Sequence, residues 1–298
     1  MRDIPYFSVI IPTYNRENIL PYTVASVLDQ TFQNFELLII DNGSTDGTSA
    51  YIEELNHPKI RFFKQEGSGS PASPRNSGIL NSTGEWICFL DSDDDWTPNK
   101  LEKVHEAIKN HPGKDVVSHY QMKINQTSGS QKKLVHYSDA DNLYKCMLLE
   151  GIFLSTSAIA IRREFLIKHK LLFNESEDYI IVEDYDLWLR IANKGAALYF
   201  IQEVLGNCYT HNANLSGNLE LYISNLENVY REHAYNIQSF TTDKDLVYKR
   251  LRALIHRSRA YQHLTERRVF GMLKNIFLSL ILDPSVLVKQ ALRKLRKK

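Results

Sequence analysis

Short apolar runs alternate with stretches of helical periodicity over the first hundred residues. The runs at 8–11, 35–40, 60–63 and 86–90 have the length of buried strands. Between the first two, Leu20, Val24, Val27 and Leu28 recur at the spacing of an amphipathic helix. Strands that alternate with helices predict an α/β fold, in which helices flank a mostly parallel central sheet.

Three of these predicted strands end in polar residues. Thr13 follows the first, Asp41 the second and Asp91 the run at 86–90. In open parallel sheets, ligands bind beyond the carboxyl ends of the strands. The sequence therefore predicts a small-ligand site at that edge of the sheet.

The last of these strand ends carries four carboxylates within five residues, Asp91, Asp93, Asp94 and Asp95. Such a cluster repels itself unless a cation lies among its members, and hard divalent ions prefer oxygen ligands. The alternation of Asp91, Ser92 and Asp93 can direct two carboxylates at one ion. The alternative is a solvated acidic turn that caps a helix over 99–110, with Asp95 or Thr97 as its N-cap.

The glycine-rich segments match no known phosphate-binding fingerprint. Neither 42–44 nor 67–71 has the GxGxxG spacing, and no Walker lysine motif is present, which disfavours a dinucleotide fold. The segment 67–77 predicts a loop followed by a short helix that carries Arg75. The planar guanidinium of Arg75 suits a phosphate, and pairing with a surface acid is the alternative.

The composition mainly argues against certain classes of protein and partner. The 298 residues carry a net charge of +1, so charge gives no indication of a nucleic acid partner and we expect none. Three widely spaced cysteines favour reduced core thiols in a cytoplasmic protein over a disulfide framework or a zinc site. We see no secretion signal at the start of the sequence. No apolar run reaches the roughly 18 residues that a spanning helix needs, so we do not expect an integral membrane protein.

The C-terminal part of the chain has a different pattern. An apolar segment over 269–282, interrupted by Lys274 and Asn275, precedes a predicted amphipathic helix at 286–298 that is rich in lysine and arginine. This combination is typical of helices that lie on a membrane surface, where anionic headgroups add to the burial of apolar residues. A helix packed on the rest of the protein, with a solvated basic end, is the alternative.

Five ordered motifs resemble family 2 of the glycosyltransferases over about residues 6–215. They are SVIIPTYN at 8–15, DNGSTDGT at 41–48, RNSGI at 75–79, FLDSDD at 89–94 and EDYDLWLR at 183–190. Each motif alone is weak, but their common order and spacing make the resemblance specific. It implies a GT-A fold with a catalytic domain at 1–218 and a helical extension at 219–298. The catalytic domain would divide into a nucleotide-binding half, about 1–98, and an acceptor half, about 99–218.

The resemblance also implies site residues and a reaction. The donor would be a nucleotide diphosphate sugar, here expected to be UDP-linked, and transfer would invert the anomeric carbon. Asp91 and Asp93 would form the D-x-D pair that binds Mn²⁺ or Mg²⁺, with Asp93 as the more direct ligand and Asp94 and Asp95 behind it or capping the helix. Asp184 would be the catalytic base, with Glu183 as the second catalytic residue. The other implied positions are Pro12, Thr13, Tyr14 and Asn15 around the nucleoside, Asp41 at the base or ribose, Ser92 beside the donor, Arg75 near the diphosphate, and His211 near the diphosphate or metal.

The predicted function is transfer of one sugar to a saccharide hydroxyl in bacterial capsule, polysaccharide or lipopolysaccharide assembly. The acceptor would be a saccharide or a lipid-linked saccharide, and the protein would be peripheral on the inner face of the cell membrane. Transfer to a polyprenyl phosphate is an alternative that needs no strong base, because that acceptor is already an anion. A binding module that keeps the fold without the chemistry is the alternative from another class.

Overall fold

The computed structural model describes residues 4–135, 142–151, 154–210 and 218–285. It divides into two compact units. Residues 4–135 and 154–210 belong to the first unit, and residues 142–151 and 218–285 belong to the second. A short helix from the middle of the sequence is thus grouped with the C-terminal helices.

The first unit is built on a nine-stranded sheet. Its strands are β1 Phe7–Thr13, β2 Phe35–Asp41, β3 Ile60–Lys64, β4 Trp86–Phe89, β5 Asp95–Trp96, β6 Val116–Asn125, β7 Gln131–Leu134, β8 Ile159–Arg162 and β9 Leu198–Thr210. Their order is β3-β2-β1-β4-β8-β6-β9-β5, with β7 paired to β6. Strands β5, β7 and β8 run against the direction shared by the other strands, so the predicted α/β fold with a mostly parallel sheet is confirmed.

Helices complete both units. The first contains α1 Leu20–Leu28, α2 Thr48–Leu55, α3 Ala72–Asn81, α4 Lys100–Asn110, α6 Arg163–His169 and α7 Glu183–Asn193, and the second contains α5 Leu143–Glu150, α8 Leu219–Glu232, α9 Lys244–Thr265 and α10 Val269–Leu282. Short 3-10 turns lie at Thr156–Ala158 and Glu177–Tyr179, and a π-helical turn at His233–Ile237 follows α8.

The core of the first unit fixes the edge at which the strands end. Strands β1, β2 and β4 are buried along their whole length, and α1 packs Leu20, Val24 and Val27 into the same apolar cluster. Each such side chain contributes about 1.5–3 kcal/mol when it leaves water. The parallel register sets Thr13 opposite Asp41, and Ile10 opposite Phe89. The three polar strand ends therefore lie at one edge, as the sequence predicts.

The helix-cap interpretation of the acidic cluster is wrong. Asn99 is the N-cap residue of α4 and makes no side-chain cap hydrogen bond. Asp95 belongs to β5, where it pairs with Asn207 of β9, and its carboxylate accepts hydrogen bonds from the Asn207 amide at 2.7 Å and the Tyr209 hydroxyl at 2.6 Å. Asp94 accepts from the Tyr209 backbone N–H at 3.1 Å. Both carboxylates are directed at β9 because β5 joins the sheet there.

Two further differences from the sequence-based picture concern strands. Residues 131–134, whose sequence gives no strand signal, form β7 and pair with β6. The long strand β9 was not predicted, because Gln202, Glu203 and Asn207 interrupt its apolar pattern. No helix in the described residues is long and apolar enough to cross a membrane. The basic helix predicted at 286–298 lies outside the described residues.

Candidate active site

The loops after β1 and β2 are joined by hydrogen bonds. The backbone N–H of Asn15 donates to Ser44 Oγ at 2.9 Å, and Asn15 Oδ1 accepts from the Thr45 N–H at 2.8 Å. The N–H of Arg16 donates to Thr48 Oγ1 at 2.8 Å. The predicted nucleoside residues at 12–15 thus form one framework with the loop that follows β2.

Asp41 anchors that second loop. It is completely buried, its Oδ1 accepts from the Ser44 N–H at 2.9 Å, and its Oδ2 accepts from the Ser49 hydroxyl. These contacts hold the loop in place, and a contact of Asp41 with a base or ribose stays a prediction. Nearby, the buried Thr13 Oγ1 has no hydrogen-bond partner among the described residues. Buried hydroxyls are normally paired, so this atom is available to a ligand.

Gly43 brings the loop after β2 against the segment that precedes α3. Its φ is +84°, and a Cβ there would lie 2.7 Å from the backbone nitrogen of Gly67. We expect Gly43→Ala to lower the free energy of unfolding by more than about 1–2 kcal/mol, the cost of a left-handed conformation alone. Urea unfolding measures the change.

The matched control is Gly69→Ala. Gly69 has φ +70°, but a Cβ there would meet no atom within 4 Å, so only the conformational cost applies. Equal destabilisation by the two substitutions would contradict the close approach at Gly43.

Arg75 connects three elements of the site. Its guanidinium Nη1 lies 2.7 Å from Glu183 Oε1 at the start of α7, and Nη2 lies 2.7 Å from Asp91 Oδ1 after β4. The side chain is only 6% exposed and packs over the Phe173 ring. Burial alone would lower the pKa of Arg75, but Asp91 and Glu183 raise it, so the guanidinium stays charged. Arg75 therefore does pair with acids, the partly exposed Asp91 and the buried Glu183, and its contact with a phosphate stays a prediction.

The D-x-D carboxylates also lie close to arginines. Asp91 is paired with Arg75, and Asp93 lies 3.8 Å from the Arg16 guanidinium. Ser92 is nearly buried, and its carbonyl accepts from the Thr23 hydroxyl at 3.0 Å. Burial, reinforced by Asp91 and Asp93, raises the pKa of Asp94 well above its usual value. Negative charge is thus crowded at the end of β4.

The carboxylates of Asp91 and Asp93 fit a divalent ion whose other ligands are substrate phosphates and water. Within the part of the chain that the structure describes, no group of three or more His, Cys, Asp or Glu side chains could hold a metal alone. Asp91 and Asp93 offer two carboxylates, and Mg²⁺ is commonly bound by one or two carboxylates together with substrate phosphates and water. The predicted ligand His211 lies outside the described residues.

Glu183 and Asp184 lie at the start of α7 and differ in environment. Glu183 is buried, and its Oε2 has no hydrogen-bond partner in the described ranges. Burial raises the pKa of Glu183, and Arg75 opposes that effect.

Asp184 is only partly buried by surface area, and it accepts hydrogen bonds from the Thr156 hydroxyl at 3.0 Å and the Tyr185 N–H at 2.6 Å. Burial, followed by the negative charge of Glu183, raises the pKa of Asp184 to about 7. Such a carboxyl group exchanges protons readily at neutral pH, as a general base must. Asp184 thus shares a raised pKa with Asp94 and Glu183, and it differs from Glu183 in being only partly buried.

The structure adds residues that the sequence did not single out. Arg16 faces Asp93, and the only signal for it in the sequence is its position directly after the strand-end motif. Thr156 orients Asp184, and Ser157 Oγ accepts from the Asp91 N–H at 3.1 Å. Neither residue has a sequence signal, because both lie in a 3-10 turn far from the motifs they contact.

Asn76, next to Arg75 on α3, holds the segment before α7. Its amide donates to the Phe173 carbonyl at 2.9 Å and to Glu175 at 2.7 Å, and its oxygen accepts from the Phe173 N–H at 2.8 Å. Helix α3 therefore positions both the D-x-D end of β4 and the segment that leads into α7.

Comparison with known proteins agrees with this geometry. Residues 8–170 match the family model described as Glycosyl transferase family 2. The protein is a glycosyltransferase. More narrowly, the chain belongs to glycosyl transferase family 2, which confirms the resemblance seen in its five motifs.

Two relatives have named activities. The amylovoran biosynthesis glycosyltransferase AmsB of Erwinia amylovora is 31% identical over 221 residues, which cover 70% of each chain. The UDP-Glc:alpha-D-GlcNAc-diphosphoundecaprenol beta-1,3-glucosyltransferase WfgD of Escherichia coli is 32% identical over 185 residues, covering 62% of this chain and 68% of WfgD.

Two solved structures share the fold. S. aureus TarS 1–349 in complex with UDP-GlcNAc matches with a TM-score of 0.67 and 20% identity, covering 93% of this chain and 81% of TarS. The mannosyltransferase PcManGT of Pyrobaculum calidifontis, in complex with GDP-Man and Mn²⁺, matches with a TM-score of 0.60 and 17% identity, covering 98% of this chain and 81% of PcManGT. The predicted GT-A fold is confirmed.

Proposed function

We propose that the protein is an inverting glycosyltransferase that moves one sugar from a UDP-linked donor to a saccharide hydroxyl. One observation carries the proposal: a single buried guanidinium, Arg75, bonds both Asp91 and Glu183 at 2.7 Å. The donor-side carboxylates and the base candidate Asp184, next to Glu183 in the chain, are thereby held in one site. The UDP-GlcNAc complex of TarS and the UDP-Glc in the name of WfgD support the choice of donor.

Donor binding is assigned to the strand-end loops. The residues proposed to hold the donor are Pro12, Thr13, Tyr14, Asn15, Asp41, Arg75, Asp91 and Ser92. Asp91 and Asp93 would hold Mn²⁺ or Mg²⁺ against the diphosphate, as the Mn²⁺ complex of PcManGT supports. When bound, the ion neutralises the charge that grows on the leaving diphosphate.

Asp184 is assigned the proton transfer. In a single displacement, the bond from the anomeric carbon to the diphosphate oxygen breaks while the acceptor oxygen bonds to the opposite face of that carbon. Asp184 takes the proton of the acceptor hydroxyl, with Thr156 fixing the orientation of its carboxylate. A pKa of about 7 supports this role, and it disfavours transfer to a polyprenyl phosphate, which needs no base.

The acceptor is assigned to surface-glycan assembly. AmsB is named for amylovoran biosynthesis, and WfgD for a saccharide on a diphosphoundecaprenol. A lipid-linked saccharide at the inner face of the cell membrane is therefore the proposed acceptor, with the protein peripheral on that surface. The lysine- and arginine-rich sequence at 286–298 supports this location.

A thermal-shift experiment tests donor and metal together. UDP with Mn²⁺ is expected to raise the Tm, because a ligand at 100 times its Kd stabilises the folded state by about 2.7 kcal/mol. UDP without metal is expected to give a much smaller rise. A binding module without chemistry would show the shift but no transfer from any nucleotide sugar.

The specific control is Asp93→Asn, which should abolish the metal-dependent part of the UDP shift. Asp178→Asn, which changes an exposed carboxylate in the turn before α7, should leave it intact. A wild-type Tm that responds to no nucleotide with or without Mn²⁺ would overturn the proposed donor site.

A further inference from the structure

Helix α10 packs through its polar residues. Gly271, Asn275 and Ser279, spaced four residues apart, face α9. The Ser279 hydroxyl donates to the Ala253 carbonyl at 2.9 Å, and Asn275 Oδ1 lies 2.9 Å from Nδ1 of His256. Asn275 and Ser279 are the buried residues of α10. The inner face of this helix is therefore small and polar.

Gly271 allows the two helices to approach closely. A Cβ at this position would lie 2.8 Å from the His263 ring. Asn275 Nδ2 donates to the Gly271 carbonyl at 3.0 Å, so the amide is satisfied on both sides within the helix pair. The small residue and the side-chain hydrogen bonds between the helices therefore hold α10 closely against α9.

The apolar residues of α10 point outward. Six of them form a continuous stripe that we call the outer face of α10, and their exposed fractions run from 41% for Leu280 to 84% for Phe270. The six residues are Val269, Phe270, Leu273, Phe277, Leu280 and Ile281. A helix of a globular protein normally turns such a stripe inward. Contiguous exposed apolar surface marks a site of interaction with another molecule or a membrane.

The charged residues that adjoin α10 in the sequence indicate what covers its outer face. The sequence after Asp283 contains six lysines and arginines and no acid, and Arg267 and Arg268 precede the helix. A positive flank favours an anionic surface. The 14 residues of α10 span only about 21 Å, less than the roughly 30 Å of a hydrocarbon core, so the helix would lie along the surface.

We propose that the outer face of α10 inserts into the interface of an anionic lipid bilayer, with the helix axis parallel to the membrane. This inference deepens the proposed function, because it rests on an acceptor carried by a membrane lipid and assigns the contact to one helix face. The sequence-based expectation gives the apolar segment 269–282 and the basic segment 286–298 together as a membrane-surface element, and the inference adds which face of α10 makes the contact. The basic residues attract the protein to the surface, and Phe270 and Phe277 enter the lipid.

Flotation of the full chain with vesicles tests the inference. Vesicles of phosphatidylcholine with phosphatidylglycerol are expected to bind the protein, and vesicles of phosphatidylcholine alone to bind it far less. Phe270→Ser/Phe277→Ser should weaken binding by at least about tenfold, since apolar insertion and electrostatic attraction act together. The matched control Tyr22→Ser/Leu80→Ser removes two exposed apolar side chains of the first unit and should bind as wild type does.

Two additional measurements make the outcome decisive. Fluorescence of a Phe277→Trp variant should shift to the blue on the anionic vesicles, which reports entry into lipid. The UDP and Mn²⁺ thermal shift should be the same in the phenylalanine double variant as in wild type, so loss of vesicle binding is separated from failure of the donor site.

Three results would overturn the inference. They are vesicle binding by the double variant equal to wild type, absence of wild-type binding to anionic vesicles, and a lipid-free wild-type dimer that the double variant converts to a monomer. The last result would assign the outer face of α10 to a second copy of the chain.

Discussion

Replacement of Asp184 by asparagine is expected to lower kcat by about 10²–10⁴-fold, the usual contribution of a general base. Donor binding should persist, because the hydrogen bonds of Asp184 among the described residues go to Thr156 and to the Tyr185 N–H of its own helix. The measurement is the transfer rate at saturating donor, together with the metal-dependent UDP shift in Tm. Asp178→Asn should retain wild-type kcat.

The raised pKa adds a pH dependence to this prediction. Wild-type kcat should rise by about tenfold per pH unit below pH 7 and level off above it, because only the ionised carboxylate accepts a proton. A kcat that does not change between pH 5 and pH 8, or near-normal turnover by Asp184→Asn, would favour an anionic acceptor such as a polyprenyl phosphate.

The free energy of unfolding should change with pH in the direction opposite to kcat. Folding raises the pKa of Asp184 from 3.8 to about 7, so the folded state holds this proton more tightly than the unfolded state does. The free energy of unfolding therefore falls as pH rises through that window. The Tm of Asp184→Asn minus the Tm of wild type should be larger at pH 8 than at pH 5. A difference that is independent of pH would show that the pKa of Asp184 is not raised.

Replacement of Arg75 by methionine is expected to lower the free energy of unfolding by about 3–5 kcal/mol, the cost of leaving a buried charge without its partner. The loss of stability comes from Glu183, because its side chain is only 4% exposed and would be left without its positively charged partner. Asp91 is 35% exposed and can be solvated instead. Urea unfolding at pH 8 gives the change, which should shrink at pH 5 because Glu183 can then take up a proton.

A double variant separates charge from packing. Arg75→Met/Glu183→Gln should recover much of the lost stability and none of the activity, because the buried charge is gone but Asp91 is no longer held. Lys103→Met is the control, since Lys103 also faces two carboxylates, Glu106 and Glu203, but in solvent, where such pairs contribute less than about 1 kcal/mol. A double variant no more stable than the single one would contradict a buried, charged Glu183.

Much of the first unit could be predicted from local pattern. The apolar runs that became β1, β2 and β4 are continuous because those strands are buried along their whole length, so they can be recognised without knowledge of the strands they pair with. Strand β3 is only partly buried. The sequence also predicts that the ends of the other three strands at Thr13, Asp41 and Asp91 lie close together, because parallel strands end at one edge of the sheet. Strand β9 could not be predicted, because its polar residues interrupt the apolar pattern.

Contacts between distant residues were decided by the tertiary structure alone. The sequence determined which residue types stand at the strand ends and at the start of α7, and that these motifs belong to a glycosyltransferase. It could not show that Arg75 bridges Asp91 and Glu183, that Thr156 holds Asp184, or that α10 turns its apolar face outward. Periodicity shows that a helix has two faces, but which face is buried depends on the partner that the rest of the chain supplies. In α10 that partner is α9, whose Ala253 carbonyl and His256 ring pair with Ser279 and Asn275.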